Sequence, residues 1–230
     1  REQKRRIGLG IMGLHEWCIK NDQGYEPTAK LGKWLSLWEK ASDTHAETYA
    51  RKLNSVCPVA VRAIAPTGTI GIIGESSTGI EPIFCTAFKR RYLKRNDWHV
   101  QYVVDAAAQR LIDKGVKPDD IEDAMVLAAE PERRLAFQAY VQKYVDHCIS
   151  STINLPEWGS ETNNEGTLKE FGDTLMVYLP QLRGVTAYPA QGRGGEPLTR
   201  VSYEEAISKA GVEFLENGNT EACPGGICGI

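Results

Sequence analysis

Val59-Ala60-Val61-Arg62-Ala63-Ile64-Ala65-Pro66-Thr67-Gly68-Thr69-Ile70 runs from a β-branched apolar stretch straight into a cluster of Pro, Thr and Gly. The first half, Val59 to Ile64, has the length and composition of a buried strand, and the cluster behind it cannot extend that strand. A strand therefore ends there and a loop of small residues begins. Gly68 lets the backbone come close to a ligand, and Thr67 and Thr69 carry hydroxyls, so converging N–H groups along Pro66, Thr67, Gly68, Thr69 and Ile70 could wrap an anion without a lysine. A tight strand-to-helix turn with a capping Thr satisfies the same letters. The residues alone leave both readings open.

Outward from this stretch, helical and strand-like segments alternate. Ile11 to Lys20 places Ile11, Leu14, Trp17 and Cys18 on one helical face, and a longer helix is predicted from about Thr28 to Leu53 with Leu31, Trp34, Leu35 and Trp38 together. Downstream, Val100 to Lys114, Pro118 to Ala128 and Pro131 to His147 read as helices, the latter two opening on Pro with acids beside it. Ile149 to Leu155 and Gly184 to Tyr188 read as short buried strands around a helix from about Leu168 to Leu182. Such alternation implies parallel βαβ units and an α/β fold. Glu81 before Pro82 and Asn154 before Leu155 stand at predicted strand ends, where α/β barrels place functional groups, although either could be a turn residue.

Gly8-Leu9-Gly10-Ile11-Met12-Gly13 satisfies the G-x-G-x-x-G pattern of dinucleotide sites. The six residues before it are Arg-Glu-Gln-Lys-Arg-Arg, so no apolar strand is predicted to feed the turn. Close helix packing at the glycines is the simpler expectation.

The C-terminus, Glu221-Ala222-Cys223-Pro224-Gly225-Gly226-Ile227-Cys228-Gly229-Ile230, carries two thiols on a Gly-rich end with little apolar content to pack. In a reducing compartment such a pair suits thiol–disulfide exchange, one thiolate attacking a disulfide and its neighbour resolving the mixed disulfide. A zinc half-site is the rival, but no Cys/His pair at metal spacing accompanies it. Cys18, Cys57, Cys85 and Cys148 lie among apolar residues and are expected to be buried. His15, His45, His99 and His147 belong to no motif.

The run Pro66-Thr67-Gly68-Thr69-Ile70 through Gly79-Ile80-Glu81-Pro82, followed by Lys89-Arg90-Arg91-Tyr92-Leu93, resembles the catalytic subunit of ribonucleotide reductases, and most closely the adenosylcobalamin-dependent (class II) type. Arg5 to Leu14, Ser150-Ser151-Thr152-Ile153-Asn154-Leu155-Pro156 and Leu182 to Pro189 agree with that family in the same order. The likeness covers essentially the whole chain but only the C-terminal part of the family's subunit. It implies the C-terminal part of a ten-stranded α/β barrel over residues 1–200, a helical connector over 201–216 and a flexible redox tail over 217–230. It makes Pro66 to Ile70 the substrate phosphate anchor, and Cys223 and Cys228 the pair that re-reduces the active site and is recharged by thioredoxin or glutaredoxin. Tyr188 matches a position near the reaction centre. Metal-radical relatives place a second tyrosine after it to relay an electron; here Pro189 stands there, which favours a radical made locally by adenosylcobalamin.

In the chemistry so implied, a cysteine thiyl abstracts the ribose 3′ hydrogen, and two further cysteines reduce C2′ and close to a disulfide. The family's thiyl cysteine lies in an Asn-x-Cys-x-Glu loop, and that sequence is absent from these residues. The chain is therefore expected to need an N-terminal part of the subunit, to be inactive alone, and to favour ribonucleoside diphosphates. A nucleotide-binding module without catalysis and a stand-alone thiol oxidoreductase are the alternatives, and a homodimer is a further candidate partnership.

Composition narrows the rest. With 42% hydrophobic and 25% charged residues the chain is long enough for a buried core, and its net charge of −3 gives no reason to expect nucleic acid or an anionic membrane surface as partner. No apolar run approaches the roughly 18 residues of a membrane span and no signal peptide is visible, so a cytoplasmic location is the default expectation. The opening on Arg1 reads as a fragment boundary.

Overall fold

A computed structural model describes residues 5–190 and 198–215. Parallel strands run through the chain in an arc. β1 (Arg6–Leu9) pairs with β2 (Ala60–Arg62), and β5 (Thr152–Leu155) pairs with β6 (Thr186–Pro189), both in parallel. The parallel bridge Ile64↔Ile149 joins the two pairs, with Ile64 N–H donating to Cys148 O at 3.2 Å and Ser150 N–H to Ile64 O at 2.8 Å. The spatial order is thus β1-β2-β5-β6, and all four strands end on the same side of the arc.

Helices connect these strands as βαβ logic requires. α1 (Leu14–Lys20) and α2 (Ala29–Lys52) lie between β1 and β2, α5 (Pro131–Gln142) leads into β5, and α6 (Leu168–Tyr178) joins β5 to β6. The helix-facing side of the arc is the core: Leu14, Leu31, Leu35, Ile64, Ile80, Phe137, Val141 and Ile149 form one buried cluster. Thr28 caps α2, its side chain accepting from Leu31 N–H. Arg62, whose side chain is 3% exposed, pins β2 to the helices; it donates to Ser42, to Asp43 at 2.5 Å, to Asp146 at 3.2 Å and to the Tyr144 carbonyl. Among the described residues no helix is long and apolar enough to cross a membrane.

Between α3 (Gly68–Ile73) and α5 the chain departs from the helical reading. Ala87–Lys94 (β3) and Asp97–Val104 (β4) form an antiparallel hairpin, so the helix expected over Val100 to Lys114 shrinks to α4 (Ala106–Ile112). Two local causes decide this. Arg95 and Asn96 both take positive φ, 53° and 70°, as a two-residue hairpin turn demands. Asp105 then caps α4, accepting from Ala107 and Ala108 N–H, which fixes the helix start after the β-branched run.

The helix expected over Pro118 to Ala128 is also absent; only the 3₁₀ turns Pro118–Asp120 and Leu127–Ala129 form. Asp123, fully buried, takes the N–H groups of Thr86, Met125 and Val126, and this side-chain competition replaces helical bonding. α5 stops at Gln142 rather than His147, because the Gln142 amide bonds the Val145 and His147 carbonyls.

The last described segment straddles the hairpin. β7 (Leu198–Arg200) pairs with β3, α7 (Tyr203–Ser208) crosses over, and β8 (Glu213–Leu215) pairs with β4, giving a four-stranded sheet β7-β3-β4-β8. The stretch anticipated as a helical connector therefore holds a short helix and then a strand. Cys223, Cys228 and the rest of the anticipated tail lie outside the described residues.

Candidate functional site

The strand ends converge on the stretch that opened the sequence. β2 gives way at Ala65, and Thr67, at φ 48°, turns the chain into α3. Pro66, Gly68, Thr69 and Ile70 are exposed. The N–H groups of Gly68, Thr69 and Ile70 open the helix and have no acceptor within it, whereas Gly71 N–H is already bonded to Thr67 O at 2.7 Å. A Cβ built on Gly68 would meet nothing within 4 Å, so the space beside its Cα is open. The loop and the turn are one structure: a helix start whose first three N–H groups have no acceptor within the helix and belong to exposed residues.

Thr67 does a second job. Its Oγ1 accepts from Gly79 N–H at 3.0 Å and closes the excursion 66–78 on itself. Gly79 returns to the end of β2 at φ 50°, where a Cβ would lie 3.2 Å from Ile64 Cγ2 and 3.3 Å from the Ala65 carbonyl, so this position requires glycine.

Beside the loop, Asn154 and Tyr188 are register partners on β5 and β6. Ile153 is fully buried on the helix side, so by strand alternation Asn154 and Tyr188 share the opposite face of the arc, at the end where the loop stands. The structure thus brings Pro66 to Ile70, Asn154 and Tyr188 to one end of the parallel strands. Glu81, half-buried, accepts from Thr152 N–H at 2.6 Å through its Oε1, two residues before Asn154.

The G-x-G-x-x-G turn is fed by a strand after all, since Arg6–Leu9 is β1. It still offers no phosphate cradle. Gly13 N–H donates to Ser77 O at 2.7 Å, Leu14 N–H to Gly79 O, and the buried Glu16 carboxylate accepts from Ser77 N–H at 3.1 Å, so the 77–79 segment and an anion occupy the helix start. Burial works to raise the Glu16 carboxyl, but hydrogen bonds from Ser76, Arg110 and the Ser77 amide outweigh it and hold the group below its ordinary range.

Sequence reading missed two groups near this site. His15 is 1% exposed and its Nδ1 accepts from Ile83 N–H at 3.0 Å; burial lowers it to about 4, against a partial counter-effect of Glu122. Arg134, also 1% exposed, donates to Thr152 O at 2.6 Å and sits 5.4 Å from the Tyr25 ring centroid. No local motif marks either residue, because their partners come from distant segments. Cysteine burial divides: Cys18 and Cys85 are buried, and burial pushes the Cys18 thiol up to about 12 and raises Cys85 too, whereas Cys57 and Cys148 are exposed, contrary to expectation. Cys148 lies at the β2–β5 seam with Sγ 3.1 Å from Arg183 O, so its apolar sequence neighbours do not cover it.

Residues 54–178, which hold the loop, Glu81 and Asn154, match the family model described as ribonucleotide reductase, barrel domain. The chain belongs to the ribonucleotide reductase barrel family. Among relatives of this reductase domain, a Mycobacterium tuberculosis (strain CDC 1551 / Oshkosh) protein named vitamin B12-dependent ribonucleoside-diphosphate reductase is 27% identical over 97% of this chain and 36% of its own length. A Mycobacterium phage D29 protein, provisionally named an adenosylcobalamin-dependent ribonucleoside-triphosphate reductase, is 26% identical over 100% of this chain and 37% of its own. A crystal structure titled B-12 dependent (class II) ribonucleotide reductase superposes with a TM-score of 0.71 at 14% identity, covering 90% of this chain and 33% of that one. The reductase barrel is therefore the fold, and this chain spans about a third of its relatives' length.

Proposed function

We propose that this chain supplies the phosphate anchor and the neighbouring strand ends of a reductase that converts ribonucleotides to deoxyribonucleotides, and that it works only together with an N-terminal part of the catalytic subunit. One observation carries the reading: the exposed residues Gly68, Thr69 and Ile70, whose N–H groups open a helix, stand at the same end of the parallel strands as Asn154 and Tyr188, and the loop and Asn154 lie inside the segment that matches the reductase barrel. A nucleotide laid across that end would place its phosphates on the loop and its sugar toward the strand ends. Backbone N–H groups at a helix start suit phosphate oxygens and need no lysine. The diphosphate is the favoured substrate, in line with the name of the M. tuberculosis relative.

Adenosylcobalamin is the cofactor proposed for the assembled enzyme, from the names of the relatives. Bound, it supplies the radical that a cysteine passes on to the substrate. The clefts at Thr86, Arg200 and Tyr203 (≈390 Å³) and at Glu16, Arg110 and Lys114 (≈10 Å³) are too small for a corrinoid, so its seat would involve residues beyond these and no step is derived through it. The roles left to this chain are binding, orientation and reduction. The loop holds the phosphates, Asn154 and Tyr188 flank the reacting sugar, and Cys223 and Cys228 act as the dithiol. One thiolate would attack the active-site disulfide and the other would close on it, releasing two reduced cysteines and leaving a Cys223–Cys228 disulfide for thioredoxin or glutaredoxin to reduce.

The test is ribonucleoside diphosphate reduction with adenosylcobalamin and a dithiol present. The purified 230-residue chain should give no deoxyribonucleotide. Adding the polypeptide from the same source that carries the Asn-x-Cys-x-Glu loop should produce it. Turnover by the chain alone, or none with the complementary polypeptide, contradicts the proposal.

A further inference from the structure

We infer that Glu81 is a positioning residue that ties the phosphate loop to the strand bearing Asn154, and so sets the spacing between the two halves of the proposed nucleotide site. The argument starts where β2 and β5 part. Their last shared bonds are Ile64 N–H to Cys148 O and Ser150 N–H to Ile64 O. Strand alternation puts the N–H and C=O of Thr152 on that same β2 edge, because they lie two residues beyond Ser150. By then β2 has left for the 66–78 excursion, and among the described residues Thr152 has no strand beside it on that edge.

Two side chains stand in for the missing strand. Glu81 takes the Thr152 N–H at 2.6 Å and Arg134 takes the Thr152 C=O at 2.6 Å. These are charge-assisted bonds to a backbone that burial would otherwise strand. Arg134 has Nε and Nη1 buried without a hydrogen-bond partner among the described residues, so its charge is held in place for this one carbonyl and for the Tyr25 ring. Tyr25 in turn donates to Ile80 O at 2.6 Å and stacks on Phe137 at 4.0 Å, which fixes the residue next to Glu81.

The chain of connections is short and continuous. Thr67 Oγ1 holds Gly79 N–H, Gly79 leads through the anchored Ile80 to Glu81, and Glu81 holds Thr152, two residues before Asn154. Movement of the loop is thereby passed to the strand end through one carboxylate. Glu81 acts in this scheme through the Thr152 amide, so its effect is on geometry. The inference rests on the reading of the loop as a phosphate anchor for its consequence in binding, but the mechanical link can be read without any ligand.

The experiment uses Glu81→Ala and Glu81→Gln in the full chain, with amide hydrogen exchange of Thr152 to Leu155 and titrations with ADP and with pyrophosphate. Alanine should speed exchange over Thr152 to Leu155 by about tenfold or more and weaken ADP about tenfold, while pyrophosphate, which reaches only the loop, changes less than about twofold. Glutamine should restore most of both, since its amide oxygen still accepts from Thr152. Equal weakening of both ligands, or unchanged exchange in Glu81→Ala, overturns the inference. If the unaltered chain binds neither ligand, the phosphate reading itself fails, and a double-mutant cycle still decides the link. Thr67→Ala should speed exchange at Thr152 when Glu81 is present and add nothing in Glu81→Ala; independent, additive effects would overturn the link.

Discussion

Lowering the pH from 7 to 5 should destabilise this protein through His15. The side chain is 1% exposed, and its Nδ1 accepts the Ile83 N–H at 3.0 Å, so the folded state holds the neutral ring with its proton on Nε2. Protonation would place a second donor against that N–H inside the core. Burial accordingly lowers His15 from 6.5 to about 4, only partly offset by the field of Glu122. In the unfolded chain the ring takes up a proton below about pH 6.5; in the folded chain it resists until about pH 4. Stability from this group is therefore intact above pH 6.5, falls as pH drops toward 4, and is fully lost below that. Between pH 7 and pH 5 the loss comes to about 2 kcal/mol, from about 1.4 kcal/mol per pH unit over the part of the window that is crossed. Urea unfolding at a series of pH values measures it, with His15→Asn as the control, because the amide oxygen can keep the Ile83 bond without titrating. The variant should show a flat profile across this window. An equally steep fall in His15→Asn would refute the reasoning.

Other perturbations test the scaffold that presents the site. Arg62→Met should cost about 3 kcal/mol in urea unfolding, at the lower end for a broken buried ion pair: Asp146 keeps its bonds to the Val61 and Arg62 amides, and Asp43, 47% exposed, can rehydrate. Gly32→Ala would set a Cβ 2.0 Å from the Tyr140 hydroxyl, which donates to Thr28 O, so it should lower stability by about 1 kcal/mol despite the better helix propensity. In a Tyr140→Phe background the same change should cost less, because the 2.0 Å clash is gone and only the 3.1 Å and 3.2 Å contacts with the ring and the Tyr144 hydroxyl remain, as thermal unfolding of the four variants would show.

The letters Val59 to Ile70 reveal a strand and its end because β-branching and then Pro and Gly act locally. Val100 to Ile112 misleads for the opposite reason. Strand residues and helix residues abut there in one apolar stretch; the Asp105 cap separates them, and the Arg95–Asn96 turn upstream makes Asp97–Val104 the second strand of a hairpin. Both signals are present in the sequence, as an Asn-Asp pair before Trp98 and as an Asp before three alanines. Pro66 to Ile70, Asn154 and Tyr188 were accessible through strand ends and family likeness. Glu81 was visible only as one of two alternatives, and its bond to the Thr152 amide depends on which segments meet in space. Arg134, His15 and the exposure of Cys148 depend on which segments meet across β2 and β5, and single-strand periodicity contains no record of that. The feeding strand β1 is not legible in the sequence because all four residues of Arg6–Leu9 are exposed and no apolar run precedes its first glycine.

The central claim is that the loop beyond β2 binds the phosphates of a nucleotide. Isothermal titration of the full chain with adenosine, ADP and pyrophosphate, repeated on Gly68→Asp, tests it most directly, since a Cβ there meets nothing within 4 Å and the added carboxylate sits at the helix start, where it competes with and repels phosphate. The account predicts that ADP and pyrophosphate bind, that adenosine binds at least about tenfold more weakly than ADP, and that the variant loses both phosphate ligands with its thermal midpoint little changed. Equal binding of adenosine and ADP, or full retention of ADP by the variant, would contradict it.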